Sequence, residues 1–193
     1  MKLLHIDSSV LAENSASRSL TAAIVARLRT EHAGIEVIHR DLAAQTLPHF
    51  TPVLGEGHPC VARNAEILGE FLAADIVVIG APMYNFTIPT QLKAWIDRIL
   101  VAGKTFRYTE HGPEGLAGGK RVIIASARGG IYSNAAGKAS DFQEAYLRRI
   151  FGFIGIDEPE FVRAEGLNLG ADQRQAALAG AHRQIEGESR VAA

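Results

Sequence analysis

Short apolar runs alternate with segments of helical periodicity, and this alternation constrains the fold more than any other feature of the sequence. The runs lie at residues 3–6, 37–38, 76–79, 122–125 and 161–162. The third and fourth runs are apolar at successive positions, as in strands that are covered on both faces. The order β-α-β-α-β-α-β-α-β predicts an α/β fold with a three-layer, doubly wound, five-stranded parallel sheet and right-handed crossovers.

Apolar residues between these runs recur at helical spacing, which predicts helices that cover the sheet. The stripes are Leu92, Trp95, Ile96 and Ile99, and similar sets within residues 20–28, 67–72, 147–154 and 178–185. A chain of 193 residues suits one domain spanning residues 1–193. Residues 43–61 and 103–119 are too long for tight turns, so we expect them to serve function or to pack against a partner.

Composition excludes several classes of partner and site. Lys and Arg number 20 against 21 Asp and Glu, so no nucleic-acid surface is expected. The single cysteine, Cys60, excludes an internal disulfide and cysteine-rich metal sites, and the scattered histidines show no i, i+4 ligand pair, so no metal is predicted. No apolar stretch reaches the ~20 residues of a membrane span. Asp7 interrupts the first run before a signal-peptide core forms, which predicts a soluble cytoplasmic protein.

Hydroxyl side chains crowd the turn between the first strand and the first helix. The turn contains Ser8, Ser9, Ser15, Ser17 and Arg18. The N-terminus of a helix carries unpaired amides and a partial positive charge, both of which favour an anion. The turn therefore predicts a phosphate site, although a plain N-cap at Asn14, Ser15 or Ser17 explains the same residues.

Two further strands also end in unusual loops. The third strand is followed by Pro82-Met83-Tyr84-Asn85-Phe86, and the fourth by Ala127-Arg128-Gly129-Gly130. Exposed apolar side chains are unfavourable, so the first of these loops suits the wall of a pocket for a flat ring, or else a buried loop anchor. Adjacent glycines allow close backbone approach or positive φ, or form a plain turn. Parallel strands bring these loops to one edge, and a phosphate site beside an aromatic slot predicts flavin mononucleotide.

The combination of segments resembles the FMN-dependent NADH azoreductases, a branch of the flavodoxin-like quinone reductases. The resemblance covers nearly the whole chain, from Ser9 and Ser15-Ala16-Ser17 through residues 81–86, 91–93, 105–110, 112–116 and 128–130 to residues 151–155 and 164–166. It implies a flavodoxin-like fold, tightly bound FMN and a homodimer with shared active sites. It also implies two-electron transfer from NADH or NADPH to a small-molecule quinone or azo substrate in alternating, ping-pong steps.

Site residues follow from the resemblance by position. It implies phosphate contacts from Ser9, Ser15, Ala16 and Ser17, flavin-ring contacts from Pro82, Met83, Tyr84, Asn85 and Phe86, pyrimidine contacts from Ala127, Arg128, Gly129 and Gly130, and substrate contacts from Phe106, Tyr108, Tyr132 and Phe151. Ala127 stands where the family usually has serine, and Tyr132 where histidine often occurs. No catalytic side chain is assigned, since flavin N5 carries the hydride. Arg128 or the glycine amides are expected to stabilise the reduced flavin anion.

Two other functions remain open from the sequence. A non-catalytic flavodoxin-type electron carrier has the same fold, but such carriers are usually strongly acidic and this chain has a formal charge of -1. A serine hydrolase would use Ser8 or Ser9 with an Asp/His pair, for which the sequence offers only Asp172 and His182. The sequence does not decide the electron acceptor or the preference between NADH and NADPH.

Overall fold

A computed structural model describes residues 1–51 and 58–187 of the chain. Its central sheet has five parallel strands in the order β2-β1-β3-β6-β7, and β4 and β5 form a separate antiparallel hairpin. The strands are β1 (Lys2–Asp7), β2 (Glu36–Asp41), β3 (Ile76–Pro82), β4 (Phe106–Thr109), β5 (Gly112–Gly115), β6 (Arg121–Ala127) and β7 (Glu160–Ala164). The predicted α/β fold and all five predicted strands are confirmed, and the order of strands is that of flavodoxin-like sheets.

Six helices connect the described strands. They are α1 (Ala16–Glu31), α2 (Pro59–Ala73), α3 (Thr90–Ile99), α4 (Ala135–Lys138), α5 (Phe142–Phe153) and α6 (Ala171–Glu186). A short 3-10 turn at Ala12–Asn14 precedes α1. Ser15 caps α1 by accepting a hydrogen bond from the amide of Arg18, and Asp141 caps α5 by accepting from two backbone amides.

The sheet separates two hydrophobic cores. On one face, side chains of α2, α3 and α5 pack around fully buried Phe71, Trp95 and Phe151. On the other face, α1 and α6 pack against alternate residues of the same strands, including Leu3 and Val78. The successive apolar positions of β3 and β6 therefore arise because helices cover both sides. Leu72 is the exception among the predicted stripe residues, since it is exposed at the edge of α2.

The long segment at residues 103–119 forms the β4–β5 hairpin, which packs against the end of α5. Leu116 donates its amide to the carbonyl of Thr105, and Ala117 donates to Ile154 at 2.9 Å. A Cβ atom on Gly115 would lie 2.1 Å from the amide nitrogen of Gly155, so the two backbones meet where only glycine fits. The hairpin is thus held firmly at its base, while its tip at Glu110 and His111 is exposed.

The other long segment, residues 43–61, is described only in part, because residues 52–57 lie outside the described residues. Its first half is held by Arg98, a buried side chain of α3. The guanidinium of Arg98 donates to the carbonyl of Pro48 at 2.9 Å and to Asn64 Oδ1 at 2.8 Å. Among the described residues, none of the helices is long and apolar enough to cross a membrane.

Candidate active site

Three adjacent strands of the sheet deliver the three predicted loops to one edge. In the register of β1 and β3, Asp7 lies opposite Gly80, and in that of β3 and β6, Pro82 lies opposite Ala127. The chain order reverses between β1 and β3, and ligands of doubly wound sheets bind outside the carboxyl ends of strands at such a point. The loops after β1, β3 and β6 therefore border a common site.

The serines of the first loop are buried and hydrogen-bonded. Ser15 and Ser17, both nearly fully buried, share a hydrogen bond of 3.1 Å between their hydroxyls at the N-terminus of α1. Ser9 lies deeper in the loop, and its Oγ accepts from the amide of Leu11 at 3.2 Å. Ser15 is thus the N-cap of α1, one of the three candidates that the sequence offered. Its hydroxyl also lies beside the amides of the first helical turn, which have no partner inside the helix. The turn thus presents neutral donors, suited to a phosphate.

Arg18 does not contribute a free positive charge to this turn. Its guanidinium makes a bidentate ion pair with Asp41, with both N–O distances 2.7 Å, and donates to the carbonyl of Ser9 at 2.9 Å. The Arg18 pair, aided by the amides of Ala43 and Ala44, lowers the pKa of Asp41 to about 2. The ion pair therefore holds the guanidinium of Arg18 against the carbonyl of Ser9 and so fixes the backbone of the loop. A cavity of about 410 Å³ opens on this outer side of the turn, lined by Ala12, Glu13, Ser15, Arg18, Ser19 and Asp41.

The second loop contains a strained two-residue turn. Tyr84 and Thr87 exchange backbone hydrogen bonds of 2.9 and 3.1 Å, and the residues between them, Asn85 and Phe86, have φ of 48° and 70°. Positive φ at both central positions is the pattern of a type I′ turn, whose second position favours glycine. A phenylalanine there is unfavourable by about 1–2 kcal/mol. The ring of Phe86 is 52% exposed, so packing in the core does not account for this strain.

The second loop is also joined to the loops on either side of it. The hydroxyl of Tyr84 lies 3.2 Å from Ser9 Oγ. The amide of Met83 donates to the carbonyl of Ala127 at 2.8 Å, and the rings of Phe86 and Tyr132 meet edge to face with centroids 6.5 Å apart. The predicted flavin-ring and pyrimidine residues are therefore brought together around one opening.

Arg128, in the third loop, is buried among carboxylates. It is 1% exposed and contacts Asp141 at 3.1 Å, Glu165 at 3.0 Å and Glu144 more closely still. Negative charges outnumber the buried cation, although Arg163 also pairs with Glu144 at 2.7 Å. Of the two groups expected to stabilise a reduced flavin, the Arg128 side chain or the glycine amides, this pairing favours the amides. The charge of Arg128 is consumed inside the protein, and only backbone amides of this loop remain for that role.

A rigid backbone accompanies this buried arginine. The carboxylate of Glu165 accepts from the backbone amide of Tyr132 at 3.0 Å, and the backbone amide of Asn168 donates to the carbonyl of Gly129 at 3.0 Å. A Cβ on Gly129 would lie 2.5 Å from Asn168 Nδ2, so a larger residue there would displace the Asn168 side chain, and Gly129 does not have positive φ. The chain after β7 thus holds the third loop. No role for Glu165 was expected from the sequence, because the burial of Arg128 and its need for paired charges become visible only in the fold.

The four predicted substrate residues differ in their exposure and in their contacts. Phe106 stacks on Phe153 with ring centroids 4.7 Å apart, and its ring meets the edge of Tyr108, which is 74% exposed. Tyr132 is half-buried at the rim. Phe151, in contrast, is fully buried in the core between α5 and the sheet. The assignment of Phe151 as a substrate contact is corrected accordingly, because its side chain has no accessible surface.

Comparisons with known proteins agree with this geometry. A family model described as "Flavodoxin-like fold" matches residues 1–188. The FMN-dependent NADH:quinone oxidoreductase of Sinorhizobium fredii is 58% identical over 196 residues, covering 96% of this chain and 95% of that protein. This chain belongs to the FMN-dependent NADH:quinone oxidoreductase family. The enzyme of that name from Ralstonia nicotianae is 53% identical, covering 94% of each chain.

Solved structures of azoreductases match the whole fold of this family member. The azoreductase of Bacillus anthracis strain Sterne aligns with a TM-score of 0.88 at 31% identity, covering 97% of this chain and 98% of that one. An FMN-dependent NADH-azoreductase of Bacillus anthracis strain Ames Ancestor, solved in complex with FMN, aligns with a TM-score of 0.87 at 27% identity, covering 100% and 99%. The resemblance to the quinone reductase and azoreductase group is confirmed.

Proposed function

We propose that this chain is an FMN-dependent oxidoreductase that uses NADH or NADPH to reduce quinones and azo compounds, acting as a single FMN-binding domain in the cytoplasm. The observation that carries the proposal is the common rim formed by the loops after β1, β3 and β6. That rim combines a helix N-terminus rich in buried hydroxyls with an aromatic turn and a glycine loop. Family membership supplies the reaction class.

The donor chemistry of the first loop fits the phosphate of FMN. Ser9, Ser15 and Ser17 offer hydroxyls, and Ala16 is the first residue of the helix whose amides face the turn. Because Arg18 is engaged by Asp41, the phosphate is held by neutral donors and the helix dipole. These hydroxyls and amides are already fixed in place by the fold, so binding needs little reorganisation.

The second and third loops fit the ring of the cofactor. Pro82, Met83, Tyr84, Asn85 and Phe86 form one wall. Ala127, Arg128, Gly129 and Gly130 contribute backbone groups to the pyrimidine end, since the Arg128 side chain is turned into the protein. Preorganised amides are effective where negative charge develops on a bound ring.

Bound FMN would supply hydride chemistry, accepting a hydride from a nicotinamide and passing two electrons to an acceptor. The chain itself binds and orients both planar partners in turn at one place, which requires ping-pong kinetics. We assign the acceptor site to Phe86 and Tyr132, whose rings contact each other, and to Phe106 and Tyr108, which form a second ring pair on the hairpin. Such rings are suited to stack on flat acceptors. No side chain is assigned a proton-transfer step.

We further propose a homodimer whose partner chain completes the open side of the site. Apolar side chains are exposed beside the rim, and Phe142 is prominent among them because its amide bonds the carbonyl of Phe86. Leu116 at the base of the hairpin and Ile131 after the third loop are also exposed. Exposed apolar groups clustered at a site commonly mark an interface. Sedimentation of the FMN-loaded chain at several concentrations tests this, and a monomer at all of them would refute it.

Steady-state assays with benzoquinone and methyl red, each with NADH and NADPH, test the activity. We expect parallel double-reciprocal lines, and rapid anaerobic bleaching of bound FMN by NADH. Colourless protein that takes up no added FMN would refute the proposal, and FMN that NADH does not reduce would favour the electron carrier. The hydrolase is not favoured, because the hydroxyl of Ser8 donates to the carbonyl of Gly80 and that of Ser9 contacts Tyr84 rather than an imidazole.

A further inference from the structure

Two histidines and an aspartate converge at the edge of the sheet, beneath α1. His5 and Asp7 are two residues apart on β1, so their side chains share a face. His39 lies on the edge strand β2 directly opposite His5 in the parallel register. The sequence analysis searched for ligands at helical spacing and therefore missed a set that is created by strand alternation and strand pairing.

The nitrogen and oxygen atoms of this cluster have the spacing of metal ligands. His39 Nε2 lies 3.0 Å from Asp7 Oδ2, and His5 Nε2 lies 3.3 Å from the same oxygen. One ligand atom from each residue lies within 4.8 Å of the other two. With metal–ligand bonds of about 2.0–2.2 Å, neighbouring ligands of a tetrahedral zinc ion are about 3.3 Å apart.

His5 provides a second, independent observation. It is only 9% exposed, and its Nε2 faces Asp7 Oδ2 at 3.3 Å without a well-aligned hydrogen-bond partner among the described residues. A buried polar atom without a partner is unfavourable, by about 1–3 kcal/mol, and calls for a missing ligand. The side chain of His39 is 48% exposed, so an ion reaches the cluster from solvent on that side.

The surroundings of the cluster favour a cation. Thr21 donates its hydroxyl to Asp7 Oδ1 at 2.9 Å and so orients the carboxylate. Burial by itself raises the pKa of Asp7, but interaction with His5 and hydrogen bonds with Thr21 and His39 bring the pKa below its ordinary value. Arg18 is the cation facing this carboxylate, 3.8 Å away, and its charge is balanced by Asp41.

We propose that His5, Asp7 and His39 bind one divalent transition-metal ion of the zinc type, with water as a fourth ligand on the exposed side. Two imidazole nitrogens and one carboxylate oxygen are a donor set that suits zinc and its neighbours rather than calcium or magnesium. Binding joins β1 to the edge strand β2 directly below Ser8 and Ser9. An ion that binds only the folded chain raises its stability in proportion to its concentration.

The test uses the full-length chain, FMN-loaded and without a histidine tag, titrated with Co²⁺ and then Zn²⁺ at neutral pH. We expect one equivalent of Co²⁺ to produce ligand-field bands at longer wavelength than flavin absorption, and Zn²⁺ to abolish them by displacement. Zn²⁺ should also raise the melting temperature. These readouts do not depend on turnover, so they are independent of the proposed reaction.

The variant His39→Gln should weaken Zn²⁺ binding by at least about tenfold, since it removes one ligand from an exposed position without disturbing the core. His111→Gln is the matched control, because His111 is exposed and lies 3.5 Å from the carboxylate of Glu110 but has no second imidazole partner in the described structure. Binding should be unchanged in that control. Absence of stoichiometric binding, or equal affinities of His39→Gln and the parent chain, would overturn the proposal.

Discussion

The phenol of Tyr84 lies 3.2 Å from the hydroxyl of Ser9 and accepts a hydrogen bond from the amide of Val10 at the same distance. One side chain therefore ties the loop after β3 to the loop after β1. The two loops carry the proposed ring and phosphate contacts, so their relative position fixes the distance that a bound cofactor must span. The position of Tyr84 is in turn fixed by its backbone bonds to Thr87.

Tyr84→Phe removes both of these hydrogen bonds but keeps the ring. We expect a loss of about 1 kcal/mol in FMN binding, or about a fivefold higher Kd, measured by quenching of flavin fluorescence on titration of the apoprotein. Tyr146→Phe is the matched control, since Tyr146 packs against the core beneath the sheet. An unchanged Kd for Tyr84→Phe would show that the link between the loops does not support cofactor binding.

Phe86→Gly separates strain from binding at the tight turn. Because φ at Phe86 is 70°, glycine relieves steric strain, and we expect stability in urea to be maintained or to rise by about 1 kcal/mol. Loss of the ring should raise KM for quinones. Asn85→Gly changes the same turn but keeps the ring of Phe86, so when both variants are saturated with FMN, KM for quinones should rise less in Asn85→Gly than in Phe86→Gly. A marked fall in the stability of Phe86→Gly would mean that ring packing outweighs the strain.

Arg128→Met leaves three carboxylates around a buried position without their central cation. We expect the free energy of unfolding to fall by about 3–5 kcal/mol in denaturant titrations, because an uncompensated buried charge is strongly unfavourable. Arg27→Met, which breaks the half-exposed pair of Arg27 with Glu31, should change stability little. Similar effects of the two substitutions would contradict the central role of Arg128 in holding the third loop.

The Arg18–Asp41 pair gives a defined pH dependence. Because Arg18 lowers the pKa of Asp41 from 3.8 to about 2, its contribution to stability is complete above pH 4 and is lost as the pH falls towards 2. Because the pair is partly exposed, solvent screens it, so we expect it to add about 1 kcal/mol to the free energy of unfolding at neutral pH. Unfolding of the parent chain and Asp41→Asn should therefore differ at neutral pH and converge near the acid limit. A difference in the free energy of unfolding that stays constant across this pH range would contradict the predicted role of the pair.

The positions of the strands and of the three loops could be predicted from the sequence because they depend on local patterns. Apolar runs mark β3 and β6, and even residues 37–38 locate β2, although alternation hides its full length, Glu36–Asp41. The same reasoning limits the N-cap of α1 to Asn14, Ser15 or Ser17, and the structure shows it to be Ser15. Local patterning thus determines which elements form and where a ligand site must open.

The interior of the site could not be predicted, because its contacts join segments that are far apart in the chain. Glu165 reaches Arg128 across 37 positions, and His39 reaches Asp7 across 32. The positive φ of Phe86 was hidden because the sequence lacks the glycine that normally marks such a turn. Phe151 was misassigned because the resemblance gives a position in the chain and not the direction of its side chain, which is buried in the core.

The backbone contact between Gly115 and Gly155 leaves no room for even a methyl group. Mutagenesis aimed at new dye or quinone specificity should therefore leave that seam untouched and randomise Tyr108, Glu110 and His111, whose side chains project freely from the hairpin. The hairpin therefore combines a fixed base with a tip whose residues can be exchanged.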